Sequence, residues 1–402
     1  MNILILQTKS FPHRANSFSW FYTQLTTWLT EQGYPSQLFY AYLKEEDTPY
    51  DNGLLLPDDV PSFYTERNLN ALTNFLTLHQ VDVILDYSHV ITGDTRRFFL
   101  EIRRRLPSIK LFTMIHNCPR HTTQLKRHVL KFLKWKEVHT CKQLFQWLLP
   151  EVYLRLLTKE ENRQNRSAYD TLDEVVLLSP AYLDEFRGVI GVPDADRISA
   201  IPNAIRPVKS SLNLEEKRKE IVFAGRMEPE KAVDKLLHIW ERVADQLPDW
   251  KLILVGDGSW LTRYQQLALQ KHLPRVEFTG FQMAIPYIDR ASILCLTSVI
   301  EGLPTVFTEA MNLGTIPMGF DSFGAIYDMI ENGKTGIIIA ENDYEQYARK
   351  LIELCTDDAK RLEMGRNAQM QENRYDITHI GPLWMAAFRK HGLLPQAEQI
   401  KH

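Results

Sequence analysis

Residues 292–314 read Ser292-Ile-Leu-Cys-Leu-Thr-Ser-Val-Ile-Glu-Gly-Leu-Pro-Thr-Val-Phe-Thr-Glu-Ala-Met-Asn-Leu-Gly314. The run Ser292–Leu296 has the length and apolar character of a buried strand, and the Gly-Leu-Pro turn after it breaks the pattern. Thr305–Leu313 then reads as a helix with Pro304 just ahead of it. A buried strand passing through a tight turn into a helix is half of a βαβ unit.

Working outward, the same alternation recurs. Glu220–Ala224, Lys251–Val255, Val276–Thr279 and Thr315–Met318 are predicted strands. Ala232–Gln246, Leu261–His272, Ala325–Asn332 and Asp343–Thr356 are predicted helices. In the first of these, Leu236, Ile239, Trp240 and Val243 share one face. Upstream, Asn2–Gln7, Val81–Leu85, Leu111–Ile115 and Glu174–Leu178 read as strands. Ser17–Gln32 reads as a helix, with Phe18, Phe21, Leu25 and Leu29 at helical spacing. Between the two blocks, Ile201–Glu220 holds a proline-containing strand end and the polar stretch Pro207–Lys217, which marks a domain boundary.

Right-handed βαβ crossovers of this length imply parallel sheets, so the expected fold class is α/β, with two doubly wound Rossmann-like domains facing across a cleft. The expected domains are 1–205, 206–375, and a C-terminal helix over 376–402 that packs back on the first domain. A chain of 402 residues suits this count. Ligands of open α/β sheets bind beyond the strand C-termini, which places the site there.

Composition narrows the function classes. Hydrophobic residues make up 44% and charged residues 24%, which excludes a disordered or fibrous chain. No apolar run approaches the roughly 18 residues of a membrane helix. Met1–Leu6 reads as a first strand rather than a signal peptide. Cys118, Cys141, Cys295 and Cys355 lack pairing or ligand spacing, which suits a cytoplasmic protein without disulfides or zinc. A net charge of −3 gives no global field for nucleic acid. Charge is regional instead: thirteen Lys and Arg lie between Arg96 and Lys142, against Glu101 and Glu137 alone.

Glu301 and Glu309 lie at the start and on the first turns of the helix after Pro304. The amides of Thr305 and Val306 make an anion site at that helix start. Carboxylates that accept from sugar hydroxyls, beside amides that hold phosphate, describe a nucleotide-sugar pocket. Arg226, after the strand Glu220–Ala224, and Lys231 five residues later belong on the same sheet edge. Together they neutralise a departing diphosphate.

Gly225-Arg226 with Lys231, Val255-Gly-Asp-Gly258, Phe278-Thr-Gly280, the Glu301 and Glu309 pair, Ala310-Met-Asn-Leu-Gly314 and Asn332-Gly-Lys-Thr-Gly336 share order and spacing with a known family. The chain resembles retaining GT-B glycosyltransferases of the large bacterial group 1 (family 4-like) class. That class includes phosphatidylinositol mannosyltransferases and lipopolysaccharide core glucosyltransferases. The resemblance is dense from about residue 200 to 375. It implies that Arg226 and Lys231 contact the donor diphosphate, Glu301 faces the transferred sugar and Glu309 holds the ribose hydroxyls. It also implies that Gly280, Phe281 and Met283 lie against the base, with Gly302, Leu303, Thr305 and Val306 completing the donor site. His116-Asn117, after Leu111–Ile115, looks like the family's histidine near the reacting sugar. Ile201-Pro-Asn-Ala204 resembles an interdomain hinge with alanine in place of glycine.

One departure concerns the first loop, Phe11-Pro-His-Arg-Ala-Asn-Ser17, which lacks the glycine pair of many relatives; Arg14 or the amides near Ser17 would substitute. His89 is a weaker candidate than His116. Asp194-Ala-Asp196 mimics a metal motif but sits in a turn, so neither a metal nor any other cofactor is expected. The expected activity is hexosyl transfer from a nucleotide sugar, a UDP-sugar, to a hydroxyl of a cell-surface glycan or a lipid-linked acceptor. A nucleotide-sugar epimerase of the same fold and a non-catalytic glycan-binding subunit are the alternatives. A helix over Gln124–Glu137 is expected to put Leu125, Val129, Phe132 and Leu133 on one side and Arg127, Lys131 and Lys134 on the other. It would either pack on the first domain or meet an anionic membrane at its inner face.

Overall fold

The computed structural model describes residues 1–9, 17–44, 52–87, 91–132, 140–371 and 374–396. The loop 10–16, with Arg14, and His89 lie outside them.

The first sheet comprises β1 (Asn2–Lys9), β2 (Gln37–Lys44), β3 (Gly53–Leu55), β4 (Val83–Asp86), β5 (Lys110–Ile115), β6 (Glu174–Leu177) and β7 (Ile198–Ala200). Its order is β3-β2-β1-β4-β5-β6-β7, all parallel. The helices of the first half are α1 (Ser17–Glu31), α2 (Glu66–Leu78), α3 (Gly93–Arg105), α4 (His121–Leu130), α5 (Cys141–Leu148), α6 (Pro150–Thr171) and α7 (Ala181–Ile190). The strands are continuous apolar runs because helices cover both faces; Ile3 to Leu6 are all buried.

The second sheet comprises β8 (Arg218–Ala224), β9 (Lys251–Val255), β10 (Val276–Gly280), β11 (Ala291–Leu296), β12 (Ile316–Asp321) and β13 (Ile337–Ala340), in the parallel order β10-β9-β8-β11-β12-β13. The remaining helices are α8 (Val233–Val243), α9 (Leu261–Gln270), α10 (Ile285–Arg290), α11 (Thr305–Asn312), α12 (Ile326–Met329), α13 (Tyr344–Thr356), α14 (Asp358–Gln369) and α15 (Ile377–Lys390). On α8, Leu236, Ile239, Trp240 and Val243 are all buried, the face that 3.6-residue spacing predicts.

The chain divides into two compact units. The first is Met1–Pro119, Lys159–Arg206 and Tyr375–His402; the second is Arg120–Thr158 and Pro207–Arg374. In the first unit, α15 lies against α1 and β5: the ring of Trp384 is 6.3 Å from that of Phe21, and Phe388 stacks on Phe112 at 6.1 Å. Gly381 permits this, since a Cβ there would stand 2.5 Å from the Trp28 ring.

Three expectations are corrected. Residues 120–158 group with the second unit rather than with the first domain. The helix expected over Ala325–Asn332 is only Ile326–Met329. Thr335 Oγ1 takes the Glu331 amide and Asn332 Oδ1 takes the Ile338 amide, drawing the chain into a turn. The helix expected over Gln124–Glu137 ends at Leu130. Its buried side chains are Thr123 and His128, while Leu125 and Val129 are half-buried; Leu133, Lys134 and the rest of that stretch lie outside the described residues.

The arginines of α3 are engaged within the first unit. Arg103 pairs with Asp173 at 3.0 Å, Arg104 with Glu101 at 2.9 Å and Arg105 with Glu66 at 3.0 Å, and Arg97 covers the Tyr64 ring. Among the described residues, no helix is long and apolar enough to cross a membrane.

Candidate active site

In the second unit, the loops leaving β8, β9 and β10 stay laced by backbone bonds. The amide of Gly225 donates to Val255 O at 3.0 Å, that of Met227 to Asp257 O at 2.8 Å, and that of Gly256 to Gly280 O at 2.9 Å. Gly256 has φ +138°, and a Cβ there would fall 1.9 Å from Gly225 O. Gly256 is therefore a packing requirement that fixes where the backbone of Gly225-Arg226 runs.

Past Arg226 the chain makes a short 3-10 turn, Pro229–Lys231, and reaches α8 through Ala232 at φ +45°. The exit of β11 is tied to this turn, because the Val299 amide donates to Glu230 O at 2.9 Å and Thr297 Oγ1 to Ala232 O at 3.0 Å. β8 and β11 are parallel neighbours, so both exits leave one edge. Lys231 and Glu301 meet there: Lys231 Nζ donates to Glu301 Oε1 at 2.6 Å, with side chains only 17% and 10% exposed.

Arg226 is placed differently. Its guanidinium is 72% exposed and pairs with Glu230 at 2.8 Å. The two cations therefore share an edge but not a microenvironment. Gly302 and Leu303 are buried beside Glu301. Thr305 and Val306 open α11, which no side chain caps, so their amides form a donor pair of the kind that suits an oxyanion. Glu309 lies on the second turn of α11, where burial raises its carboxyl above the usual range. Beyond Gly280 (φ +68°), Phe281 and Met283 stand 81% and 76% exposed, an apolar pair suited to a flat ring.

His116 belongs to the first unit, half-buried after β5, with its ring 4.1 Å from that of Tyr87. In the same unit, Asp196 Oδ1 accepts from Tyr169 at 3.2 Å. Among the described residues, no cluster of His, Cys, Asp or Glu is arranged to hold a metal ion, and the cysteines form no disulfide.

Sequence reasoning missed the supports of the site. Glu228 is desolvated, which alone would raise its carboxyl. The Ser259 hydroxyl and amide, at 2.5 and 2.9 Å, and Arg226 bring it below the usual range. The signal available was Glu228-Pro-Glu-Lys231 itself, a charged turn directly after a strand. The role of Glu230 as partner of Arg226 follows the same i, i+4 spacing.

Comparison with known proteins supplies a context for this geometry. Residues 205–371 match the family Glycosyl transferases group 1. An uncharacterized glycosyltransferase of Haemophilus influenzae is 27% identical over 54% of this chain and 61% of its own length. A Campylobacter jejuni enzyme is 26% identical over 42% of this chain and 48% of its own. It is named GalNAc-alpha-(1->4)-GalNAc-alpha-(1->3)-diNAcBac-PP-undecaprenol alpha-1,4-N-acetyl-D-galactosaminyltransferase. The chain thus spans only about half the length of these curated relatives. In structure, HepE of Anabaena, solved with UDP and glucose, superposes with a TM-score of 0.65 at 16% identity. The match covers 97% of this chain and 100% of the other, which shows a shared fold.

Proposed function

We infer that this chain, which has the GT-B fold and whose residues 205–371 belong to the group 1 glycosyl transferases, transfers a sugar from a nucleotide-sugar donor to an acceptor hydroxyl. The observation that carries the inference is the Lys231–Glu301 pair, 2.6 Å apart at the shared exit of β8 and β11 and beside the uncapped start of α11. An ammonium, two open amides and a fixed carboxylate match a diphosphate that must depart and a sugar whose hydroxyls must be held.

The proposed donor is a UDP-sugar, supported by the exposed Phe281 and Met283 as a face for the base and by Glu309 for the ribose. The proposed reaction retains configuration. The bond from the sugar's anomeric carbon to the diphosphate oxygen breaks, and its electron pair leaves on that oxygen. The acceptor oxygen bonds the same carbon from the same face and passes its proton to the departing phosphate. Arg226, Lys231 and the Thr305 and Val306 amides stabilise the leaving group, while Glu301 orients the sugar and offsets its developing positive charge. His116 is proposed near the reacting sugar, following the family resemblance. With two cations and a helix start at the phosphates, no metal is required for charge neutralisation.

The proposed acceptor is a cell-surface glycan or its lipid-linked precursor, as in the Campylobacter relative's name. A membrane contact is proposed at α5 and α6 in place of 124–137. Gln146 is buried there, whereas Trp147, Leu148, Leu149, Val152 and Leu156 are exposed, flanked by exposed Lys142 and Arg155. Apolar side chains turned outward beside cations fit an anionic leaflet. The test of the transferase reading is nucleotide release from a panel of nucleotide sugars by the wild type and Arg226→Ala. Release from one donor that the variant loses supports it; no release from any donor, with or without glycan acceptors, refutes it. Sedimentation with anionic vesicles, lost in Trp147→Ser/Leu148→Ser, tests the membrane contact.

A further inference from the structure

Near the Lys231–Glu301 pair, within the second unit, α4 covers the exits of β11, β12 and β13. It leaves a cavity of about 280 Å³ lined by Gln124, Arg127, His128 and Lys131 on one side and Val299, Ser322 and Glu341 on the other. One buried side chain of its wall, His128, and one that stands behind the wall residue Glu341, Lys235, each hold a polar atom without a hydrogen-bond partner. His128 is 5% exposed with Nε2 unsatisfied, and Lys235 is 5% exposed with Nζ unsatisfied. The Lys235 ammonium stands 3.7 Å from Glu341 Oε1, too far for a hydrogen bond.

The surrounding field is positive. Burial, then Lys235, Lys131 and Arg263, push the His128 imidazole down to about 4, so it is neutral near pH 7. The cations that oppose its protonation favour an anion in the same space. Carboxylates offset Lys235 and Arg127 in part, and among the described residues none is paired with Lys131. Glu341 is half exposed, burial raises the Asp234 carboxyl, and Glu151 reaches only Arg127, at 3.6 Å on the surface. A neutral imidazole can donate one N–H, and Lys131 and Arg127 can close from the solvent side.

We propose that this cavity binds a phosphate group, as a phosphate monoester or inorganic phosphate, in contact with Lys131, Arg127 and His128. It is separate from the donor diphosphate site at Arg226 and Lys231. Placed beside the loop that carries Glu301, it is suited to a phosphate borne by the acceptor, a role that rests on the transferase reading. Binding of the anion itself does not rest on it.

The experiment follows the His128 ring proton by NMR in the full chain, identified by its loss in His128→Gln, during titration with inorganic phosphate and with glycerol phosphate. UDP binding is measured in parallel. The expected result is a saturable shift of the His128 signal with either anion, at least tenfold weaker in Lys131→Gln and unaltered in Arg226→Ala. A response to inorganic phosphate alone identifies a free-anion effector site; a comparable response to the monoester identifies a site for carried phosphate. Both support the proposal. A silent His128, or a response lost in Arg226→Ala but kept in Lys131→Gln, overturns it. Absence of UDP binding with the His128 response intact refutes the donor assignment and leaves this one standing.

Discussion

Removing Lys231 and removing Arg226 should have opposite signatures, although the sequence alone treats them as two cations on one sheet edge. Arg226 is mostly solvated and pairs with Glu230, so Arg226→Ala should change stability by no more than about 0.5 kcal/mol, as at other surface sites. Lys231 is the partner of a carboxylate that is only 10% exposed. Lys231→Ala removes the ammonium that pairs with this little-exposed carboxylate, at a cost of about 3 kcal/mol, the lower end of the range for breaking a buried pair. For a unit of this size that corresponds to a fall in Tm of about 6–12 °C. Neutralising the carboxylate as well should restore part of it. Lys231→Met/Glu301→Gln should be less destabilised than the sum of its single variants by about 1.5 kcal/mol or more. The assay is calorimetric unfolding of the full chain for wild type, the single variants and the double variant. Additive effects in the cycle, or a Lys231→Ala protein as stable as Arg226→Ala, would refute the reasoning.

Other outcomes follow from the same geometry. Arg226→Ala should lower turnover with a competent donor by about 10²–10³, the usual cost of losing one preorganised charge-stabilising group, measured by nucleotide release. Activity should persist in excess chelator, and loss restored by magnesium or manganese would contradict the proposed leaving-group chemistry. Gly256→Ala, whose Cβ would overlap Gly225 O, should destabilise by about 2–4 kcal/mol and weaken donor binding by displacing Arg226, read by thermal unfolding with and without UDP. The fully buried Glu174 would be raised by desolvation, but its bonds to His391, Lys390 and Ser199 hold it below the usual carboxylate range. A depressed carboxylate stabilises above its unfolded pKa and loses that contribution as pH falls through the folded value. The gap in Tm between wild type and Lys390→Met should therefore be full at pH 7 and shrink below about pH 4.5.

Elements whose neighbours in sequence are also their neighbours in space were legible. β9 carries its apolar run and α8 its 3.6-residue period in their own residues, and Pro304 marks the start of α11. The Lys231–Glu301 contact needed the strand order β8-β11, which brings residues 70 apart in sequence together; motif spacing put both on one edge but not in one ion pair. The face of α4 was misread because Thr123 and His128 are buried by the second unit, which apolar periodicity within residues 124–137 does not encode. Likewise, nothing local to Gln146-Trp147 reveals that the glutamine turns inward and the tryptophan outward.

The bond from Lys390 to Glu174 spans 216 positions of chain. During synthesis at about 5–20 residues per second, roughly 10–45 s pass between the appearance of Glu174 and the arrival of its partners. Through that interval the hydrophobic ground on α1 and β5 that receives Trp384 and Phe388 is uncovered, and Glu174 has no counter-ion from α15. The second unit has its last strand and helix on the ribosome before the first can close. The nascent first unit is thus the stage at which a chaperone is most needed, and a stop codon near residue 375 would leave it permanently unfinished while residues 207–374 are intact.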